Sequence, residues 1–490
     1  MRQAIRMRLR PLATNPTPMV VAVAAALALG GVAARADEMS DLKAQIQKLN
    51  DRMADLEAKK AAAATAPATP AAAVAPEMAT DVSGSPISTA VNPVTLYTGG
   101  SSSLRMYGIV EATISRASNQ NDGGSSATGF QVAWFSGNRL GFDMEHGLGL
   151  GDQIGLPGLK VISKLEAEFE LPTGNMDTEN VFFNRDAWMG FYSPDLGKIT
   201  LGRQNTLTRD FTNNWGDPYG AAETNLKEGG YSNVNNFKQL IFYSGGPNGT
   251  RYNSAIEWKK FWGTNLVTGL AYKFGSGGAG GSGDVGNGGS LPGDFTNGTA
   301  EAASIAYNGI NLGAAKLNVN ANYDHGTVAD LKHTSELVGG NVSFGPFRFN
   351  TGYIHYSAQQ GAGNVGGNRT DKAWTTSFSV LLGKFEPALG YQQMKSTNAG
   401  LNGGGKVINP FGNMSGLTAA STYVDGAKDS LYGSLMYHED KQLDLYVAAD
   451  YFKTTGGYEV GDAQGNGEVY GAGHAHNGET ELAVGVRYKF

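Results

Sequence analysis

Hydrophobic and polar positions alternate with a period of two over most of the chain between Leu104 and Phe490. The last run shows the pattern clearly, since one of its faces carries Leu482, Val484, Val486, Tyr488 and Phe490. Its other face carries Glu481, Arg487 and Lys489. Alternation of this kind is typical of β-strands with one apolar and one polar face. The pattern predicts an all-β domain whose antiparallel strands are separated by turns rich in Gly, Asn, Asp and Ser.

The number of runs predicts the number of strands. Sixteen runs lie near residues 104–115, 130–145, 158–170, 181–193, 197–204, 251–260, 264–274, 300–309, 314–324, 333–344, 346–357, 371–382, 384–395, 427–438, 442–453 and 479–490. A weaker run at 236–243 would make seventeen, but single-chain bacterial membrane barrels have an even number of strands. We therefore assign that run to a long loop and predict sixteen strands. Eighteen strands stays open as an alternative.

A soluble β-sandwich would show the same alternation, because one face of each strand is then core and the other faces solvent. Three features favour a transmembrane antiparallel β-barrel. Short connections alternate with long ones, and no compact apolar block is present that could fill a second sheet. Aromatic residues also lie at strand ends, as the girdles at membrane interfaces require. These residues are Trp258, Phe274, Phe344, Tyr437, Tyr451 and Phe490.

The N-terminus has the pattern of an export signal. Residues 1–36 combine a basic start, an apolar stretch from Met19 to Leu29, and the small-x-small cleavage pattern Ala34-Arg35-Ala36,. A short transmembrane anchor is the alternative, but the apolar stretch is shorter than the roughly 20 residues that a spanning helix needs. We predict a cleaved signal peptide.

Two further segments precede the barrel. Residues 37–60 carry apolar residues at alternating spacings of three and four, which indicates an α-helical coiled coil. These residues are Met39, Leu42, Ile46, Leu49, Met53 and Leu56. A single amphipathic helix is the alternative. Residues 61–103 are rich in Ala, Pro, Ser and Thr and are interpreted as a linker,, so that the barrel domain spans 104–490.

Composition excludes several classes of function. The chain has no cysteine, which excludes disulfides and thiolate metal sites, and its formal net charge of -6 argues against a nucleic-acid partner,. Of the seven histidines, His474 and His476 form a pair without an evident third ligand. No phosphate-binding, dinucleotide-binding or nucleophile motif occurs. We therefore predict no metal, no cofactor and no enzymatic activity.

The longest polar connection is predicted to be a functional loop, because loops of this length inside compact domains usually are. It covers residues 205–250, leaves a strand that ends in Arg203 and returns to one that begins with Arg251. The acidic residues along this segment are Asp210, Asp217, Glu223 and Glu228. An acidic loop between basic strand ends would suit a charged constriction inside a pore.

Several motifs resemble those of the trimeric general porins of Gram-negative outer membranes. The run Leu104–Ala112 resembles their first strand, and Gly137–Phe142 resembles their second. The runs Phe183–Gly190 and Ile199–Gln204 are similar to the two strands before the constriction loop of that family. The ending Arg487-Tyr488-Lys489-Phe490 resembles the signal that barrel-assembly machinery reads.

The resemblance implies a sixteen-stranded homotrimeric barrel whose third extracellular loop folds into the lumen. Acidic residues on that loop then face basic residues on the wall. The matching wall positions are Arg105, Arg139, Lys164, Arg185 and Arg251, expected on the lumen side of their strands, with Arg203 where the loop departs. The loop here is longer than is usual in the family, and the N-terminal coil lies outside the family's motifs.

The sequence thus predicts an outer-membrane porin for passive diffusion of small hydrophilic solutes and ions. The alternatives are a substrate- or anion-selective porin and a barrel-anchored structural protein that tethers peptidoglycan. The expected partners are two further copies of the chain, outer-membrane lipid with lipopolysaccharide, and the barrel-assembly machinery. Peptidoglycan is expected only through the periplasmic coil.

Overall fold

The computed structural model describes residues 48, 51, 93–119, 124–131, 133–178, 181–211, 251–275, 298–328, 331–359, 369–397, 425–456 and 478–490. The chain divides into two compact units, Met1–Val74 and Ala75–Phe490. In the first unit, Lys48 and Asp51 are helical, and both lie in the predicted coiled coil. The predicted signal peptide, the weak run 236–243 and the acidic residues Asp217, Glu223 and Glu228 lie outside the described residues. Among the described residues, no helix is long and apolar enough to cross a membrane.

The second unit contains eighteen strands and two short helices in its described part. The first strands are β1 (Val94–Gly99), β2 (Ser102–Ala117), β3 (Ala127–Gln131), β4 (Asn138–Gly147), β5 (Lys160–Phe169), β6 (Asp186–Ser193), β7 (Gly197–Asn205), β8 (Arg251–Trp262) and β9 (Leu266–Lys273). The remaining strands are β10 (Ala300–Leu312), β11 (Ala315–Val328), β12 (Leu331–Phe344), β13 (Phe347–Ala358), β14 (Arg369–Val380), β15 (Phe385–Ser396), β16 (Gly426–His438), β17 (Leu443–Gly456) and β18 (Gly478–Lys489). The helices are α1 (Leu150–Gln153) and α2 (Leu207–Asp210).

Sixteen of these strands close into an antiparallel barrel. Strands β4 to β18 each pair with the next, β2 pairs with β4, and β18 pairs back with β2. The prediction of a sixteen-stranded antiparallel barrel is therefore confirmed. Because the closed ring leaves no free sheet edge, the backbone N–H and C=O groups of the strands are satisfied inside the sheet, as the hydrocarbon core of a membrane requires.

Two strands are additional to the ring and were not foreseen from the sequence. Strand β1 forms a hairpin with the start of β2, and it lies at the end of the segment that we interpreted as a linker. Strand β3 pairs with residues 113–117 of β2, whereas β4 pairs with residues 102–109. Strands β3 and β4 both fall within or beside the single run predicted at 130–145. The chain leaves the sheet between them, and period-two alternation cannot report such an interruption.

The two faces of the barrel have opposite chemistry. On β18, Leu482 and Val484 point outward with about half of their surface exposed, while Glu481 and Arg487 on the inner face are buried. A continuous apolar surface on the outside of a closed barrel marks a membrane-facing protein rather than a soluble sandwich. Aromatic side chains border it near both strand ends. Examples are Phe344, Phe347 and Phe385 at one end and Tyr353 and Trp374 toward the other.

Helix α2 turns from the end of β7 into the barrel. Thr206 caps it by accepting a hydrogen bond from the Arg209 backbone N–H. Its apolar residues Leu207 and Phe211 are fully buried against the inner face of β8 to β10. That face offers small residues, so the helix can approach closely: a Cβ added at Gly269 would lie 3.0 Å from both Leu207 and Phe211 side chains. The neighbouring small residues are Ala255, Ala300, Ala302 and Ala306.

Candidate pore lining and constriction

The inner face of β5 carries the centre of a charged network. Alternation along the strand turns Lys164, Glu166 and Glu168 to the same inner face. Lys164 Nζ lies 3.5 Å from Glu166 Oε2 and 3.4 Å from Asp186 Oδ2 on β6. Tyr107 on β2 donates a hydrogen bond of 2.6 Å to Glu166. The basic group predicted here is therefore embedded among carboxylates of the same wall.

Arg185 joins this network in a way that strand parity does not predict. On β6, Trp188 points inward whereas Met189 and Phe191 are exposed on the outer face, so an odd-numbered residue would point outward. Our placement of Arg185 on the lumen parity was wrong. Arg185 instead lies one residue before β6 begins, where the chain is free to turn, and its guanidinium binds Glu166 at 2.5 Å and also Glu168.

Three other predicted wall residues bind neutral oxygens. Arg139 Nε donates to the Gly137 carbonyl at 2.8 Å. Arg203 donates to the Asn184 carbonyl at 2.7 Å and to the Asn253 side chain, beside the β-bulge that follows Gly202. Arg251 Nε donates to the Arg185 carbonyl at 3.1 Å. These guanidiniums therefore surround the end of the acidic network.

Arg105 is the least engaged of the six predicted wall residues. It lies on the inner parity of β2, directly opposite Asp143 on β4. Within the part of the chain that the structure describes, its buried Nε has no hydrogen-bond partner.

Asp210 on α2 is the one predicted loop residue that the structure describes, and it makes an ion pair with the wall. Its carboxylate binds Lys259 on β8 and accepts a hydrogen bond of 2.6 Å from Asn205. Lys259 also lies 2.8 Å from Glu257, two residues earlier on the same face of β8. The loop and the wall are thus joined by a carboxylate–ammonium–carboxylate cluster.

The electrostatic state of Asp210 follows from its neighbours. Burial alone would raise the pKa of this carboxyl, but the Lys259 ammonium and the hydrogen bonds from Lys259 and Asn205 outweigh burial. Together they hold the pKa of Asp210 below its ordinary value,. Asp210 is therefore ionised at neutral pH and fixes α2 to β8.

Comparisons with known proteins agree with this geometry. A sequence profile described as Gram-negative porin matches residues 61–457, which is most of the chain. The chain belongs to the Gram-negative porin family. It is an outer-membrane β-barrel that forms a channel for diffusion. Among curated protein sequences, none matches this porin.

Solved structures of similar fold include several outer-membrane channels. An anion-selective porin from Comamonas acidovorans aligns with a TM-score of 0.54 at 19% identity, covering 79% of this chain and 100% of that one. A loop-deletion mutant of the outer membrane protein OmpT of Vibrio cholerae aligns with a TM-score of 0.50 at 13% identity, covering 80% and 100%. The channel DcaP of Acinetobacter baumannii has a TM-score of 0.48 at 14% identity, covering 81% and 100%. At such identities the likeness concerns the fold alone.

Sequence reasoning missed most of the acidic residues on the wall of this porin. Glu166, Glu168 and Asp186 were overlooked because the search was for basic residues opposite an acidic loop. Their inward direction could have been predicted from the sequence, since Glu166 and Glu168 lie on the same strand parity as Lys164. Lys259 and Glu257 were missed likewise, although both lie on one parity of a predicted strand.

A second charged cluster lies on β15 to β18. Asp444 accepts hydrogen bonds from Arg487 at 2.9 and 3.1 Å and pairs with Lys489 at 2.9 Å. His438 lies 2.8 Å from Asp444 and 3.1 Å from Glu386. The polar face of the last two predicted strands included Asp444, Arg487 and Lys489, so their inward direction is as expected from alternation.

The C-terminal residue closes the barrel seam. The Phe490 backbone exchanges hydrogen bonds of 2.9 and 3.0 Å with Gly108 on β2, and its ring covers that glycine. A Cβ at residue 108 would lie 2.6 Å from the ring.

Among the residues that the structure describes, no group of three or more His, Asp or Glu side chains has the geometry of a metal site.

Proposed function

We propose that this porin is a general diffusion channel for small hydrophilic solutes and ions, with only a weak preference for ion charge. The carrying observation is that the charged wall is paired within itself. Lys164 and Arg185 are bound by Glu166, Glu168 and Asp186, and Lys259 is bound by Asp210 and Glu257. Because each cluster mixes both signs, the wall presents strong local fields but little net charge.

The physical consequence concerns which solutes pass. Two unit charges about 4 Å apart interact by about 1 kcal/mol in water and several-fold more at lower effective dielectric. Paired charges along a water-filled lumen therefore order water and favour polar solutes over apolar ones. Fixed charges that nearly cancel give little bias in ion sign, because such bias depends on net charge in the pore.

The constriction is proposed at α2. Asp210 and Lys259 supply its charged edge, with Arg139, Lys164, Arg185, Arg203 and Arg251 on the adjoining wall and Arg105 beyond them. Asp217, Glu223 and Glu228 remain candidates from the sequence alone. The proposal assigns the protein no catalytic activity and no cofactor.

Liposome swelling tests the proposed solute class. Liposomes that contain the refolded porin should swell in isotonic solutions of small uncharged sugars, at rates that fall smoothly with solute size. Swelling for a single solute, with exclusion of others of equal size, would contradict a general channel.

Anion selectivity is the second candidate, and one observation favours it. Arg139 and Arg203 donate to neutral oxygens rather than to carboxylates, so their charges add to the field of the wall. If these charges dominate, anions should pass preferentially. The sign and size of the reversal potential under a salt gradient separate the two candidates.

Assembly and export are proposed as follows. Residues 1–36 direct export and are removed, residues 37–60 form a periplasmic coiled coil, and the chain assembles as a homotrimer. The linker before the barrel lets the coil reach the peptidoglycan layer.

Deleting residues 37–82 should lower the melting temperature of the trimer without changing pore conductance. An unchanged melting temperature would show that the coil does not stabilise the trimer. A barrel that folds but does not conduct would favour the tethering protein instead.

Two partners of the barrel are also proposed. The barrel-assembly machinery reads the terminal Phe490. Phosphate groups of lipopolysaccharide bind the outer face, where Lys372 on β14 and Lys395 on β15 occupy directly opposite positions, and His355 on β13, 3.6 Å from Glu336, lies opposite Lys372. Like charges placed opposite each other across strands are destabilising unless they are compensated. The exposed Trp374, one outward position from Lys372 along β14, marks the adjoining membrane interface,.

A further inference from the structure

The connection between β3 and β4 lies inside the barrel and is held there by one carboxylate. Glu111 points inward from β2 and is fully buried. Its oxygens accept hydrogen bonds from the backbone N–H groups of Trp134 and Phe135, both at 2.8 Å, and Ser136, at 3.0 Å. Three successive bonds of this kind fix the path of residues 133–137, which we term the inner segment.

The inner segment also packs on the neighbouring strands. Tyr446 on β17 donates a hydrogen bond of 2.7 Å to Glu111, and its ring meets that of Phe135 edge-on at 4.7 Å. Arg487 on β18 lies 5.6 Å from the centre of the Phe135 ring and donates to the Ser136 hydroxyl at 3.2 Å. Glu111, Tyr446 and Arg487 all belong to the inner faces of their strands. The inner segment therefore occupies lumen space in front of β17, β18 and β2.

This position is across the barrel from α2. Helix α2 packs on β8 to β10, while the inner segment packs on β17, β18 and β2. Strands β11 to β16 separate the two sites on one side of the ring, and β4 to β7 separate them on the other. Both elements thus project into the lumen from roughly opposite walls.

The inner segment and the charged contact of α2 lie toward the same end of the barrel. Tyr446 is near the start of β17, which follows the short turn at residues 439–442. Lys259, which binds α2, is near the end of β8, which precedes the short connection at residues 263–265. Consecutive antiparallel strands place such short turns at one end of a barrel. The inner segment and the Asp210–Lys259 contact therefore lie toward the short-turn end, while the apolar contacts of α2 extend to Tyr252 and Ala300 at the opposite strand ends.

We propose that the inner segment is a second, fixed constriction, that Glu111 is its positioning residue, and that α2 and the inner segment together set the aperture. This proposal rests on the channel function of the protein. It assigns the narrowing to the inner segment as a whole, whose Trp134 and Phe135 are fully buried in a cluster with inner-face residues of β12 to β18, and to Glu111 the bonds that keep the segment in place.

Two variants test the proposal separately. In Glu111→Gln, one carboxylate oxygen becomes an NH₂ group that cannot accept from the backbone, so the inner segment loses part of its anchor. In the double variant Trp134→Ala, Phe135→Ala, the anchor stays and the two largest side chains of the segment, both fully buried, are removed, so that the segment can settle toward the wall. We expect both variants to raise single-channel conductance and to speed liposome swelling with the larger sugars. The first should also add fluctuations to the open current, because its segment is released.

Glu386→Gln is the matched control. It removes an inward carboxylate from β15, where the contact is His438 at 3.1 Å, so it reports the effect of lost lumen charge alone. Heat-modifiable mobility in gels confirms that each variant has folded. If one of the two variants fails to fold, the other still tests the second constriction.

The outcomes are distinct from those of the proposed function. A wild-type protein that does not conduct would overturn the channel itself. A conducting wild type with unchanged conductance and sugar cut-off in the double variant would overturn the second constriction. A Glu111→Gln variant that matches Glu386→Gln in conductance and current noise would overturn the positioning role.

Discussion

The walls on the two sides of the lumen differ in where they carry their charges. On β4 to β8 the inner face is an interlocked network in which Lys164, Arg185 and Lys259 contact carboxylates. On β12 to β16 the middle of the inner face is apolar or uncharged. Its buried residues include Leu337, Ile354, Ala373, Met394 and Tyr432. On this side His355, Lys372 and Lys395 point outward, while Lys428 is fully buried on the inner parity of β16.

The contrast shows which part of the lumen wall carries paired charges. Both halves share the same period-two alternation and the same apolar outer belt, so the fold does not require inner charges. A buried charge is costly unless it is paired. The β4 to β8 wall therefore supplies its own carboxylates, rather than leaving its bases to face a distant acidic loop. The β4 to β8 wall carries a charged network along its middle, whereas the opposite wall combines an apolar middle with the separate Asp444 cluster at the short-turn end of β15 to β18.

The largest effect is expected from breaking the network on the charged wall. Glu166→Gln removes the carboxylate shared by Lys164 and Arg185, whose side chains are mostly buried. Loss of one partner in a buried ion pair typically costs about 3–5 kcal/mol. We expect a lower midpoint for urea unfolding in lipid vesicles and a shift of ion preference toward anions.

The matched change on the opposite wall is Thr375→Val on β14. The Thr375 hydroxyl is buried and, among the described residues, has no hydrogen-bond partner. Replacing an unsatisfied polar group by an apolar group of the same shape is nearly neutral or stabilising. Equal destabilisation by the two variants would remove the contrast between the walls.

A smaller effect is expected where α2 meets the charged wall. Asp210→Asn removes the charge that binds Lys259, but Glu257 stays beside the ammonium. The expected loss is about 1.5–3 kcal/mol, the range for hydrogen bonds to charged groups. Because the chain has no cysteine, Thr208→Cys places a single thiol on the buried face of α2. Asp210→Asn should speed its reaction with a water-soluble thiol reagent, whereas Lys384→Ala in a short turn should leave the rate unchanged.

The same contact predicts a pH dependence. The pKa of Asp210 is lowered by folding, so its contribution is present above the pKa of the unfolded chain and is lost as pH falls through the folded pKa. We expect the part of the conductance that depends on Asp210 to change only below about pH 4, the ordinary pKa of aspartate. The Asp210→Asn variant should lack the part of this change that Asp210 causes. A step near neutral pH that Asp210→Asn abolishes would contradict the assignment.

The smallest effect is expected on the outside of the uncharged half. Lys372→Ala and Lys395→Ala should each weaken retention of lipopolysaccharide by about 1 kcal/mol, the usual contribution of one basic residue near an anionic membrane surface. Co-purified lipopolysaccharide measures this retention. Lys384→Ala is the control, since that lysine lies in a short turn and pairs with Glu439 at 2.9 Å. Equal retention of lipopolysaccharide in all three variants would show that the outward basic row does not bind it.

The sequence predicted the barrel well, because alternation and turn length are local properties, and the even strand number of single-chain bacterial barrels decided the count. It named six basic residues as wall candidates but not the carboxylates that contact Lys164 and Arg185. Arg185 shows the reason: its contact with Glu166 depends on where β6 begins, which alternation reports poorly. The inner segment was missed because two short strands, β3 and β4, read as one run. The inner segment is held by contacts of Glu111, Phe135 and Ser136 with Tyr446 and Arg487. These two residues lie more than three hundred positions further along the chain.

The most direct test of a self-paired pore wall is the reversal potential of single channels in a planar bilayer under a salt gradient. The account predicts a small reversal potential, with conductance steps in groups of three. A large potential of the sign for anions, together with block by a particular anionic solute, would contradict it and establish the selective channel.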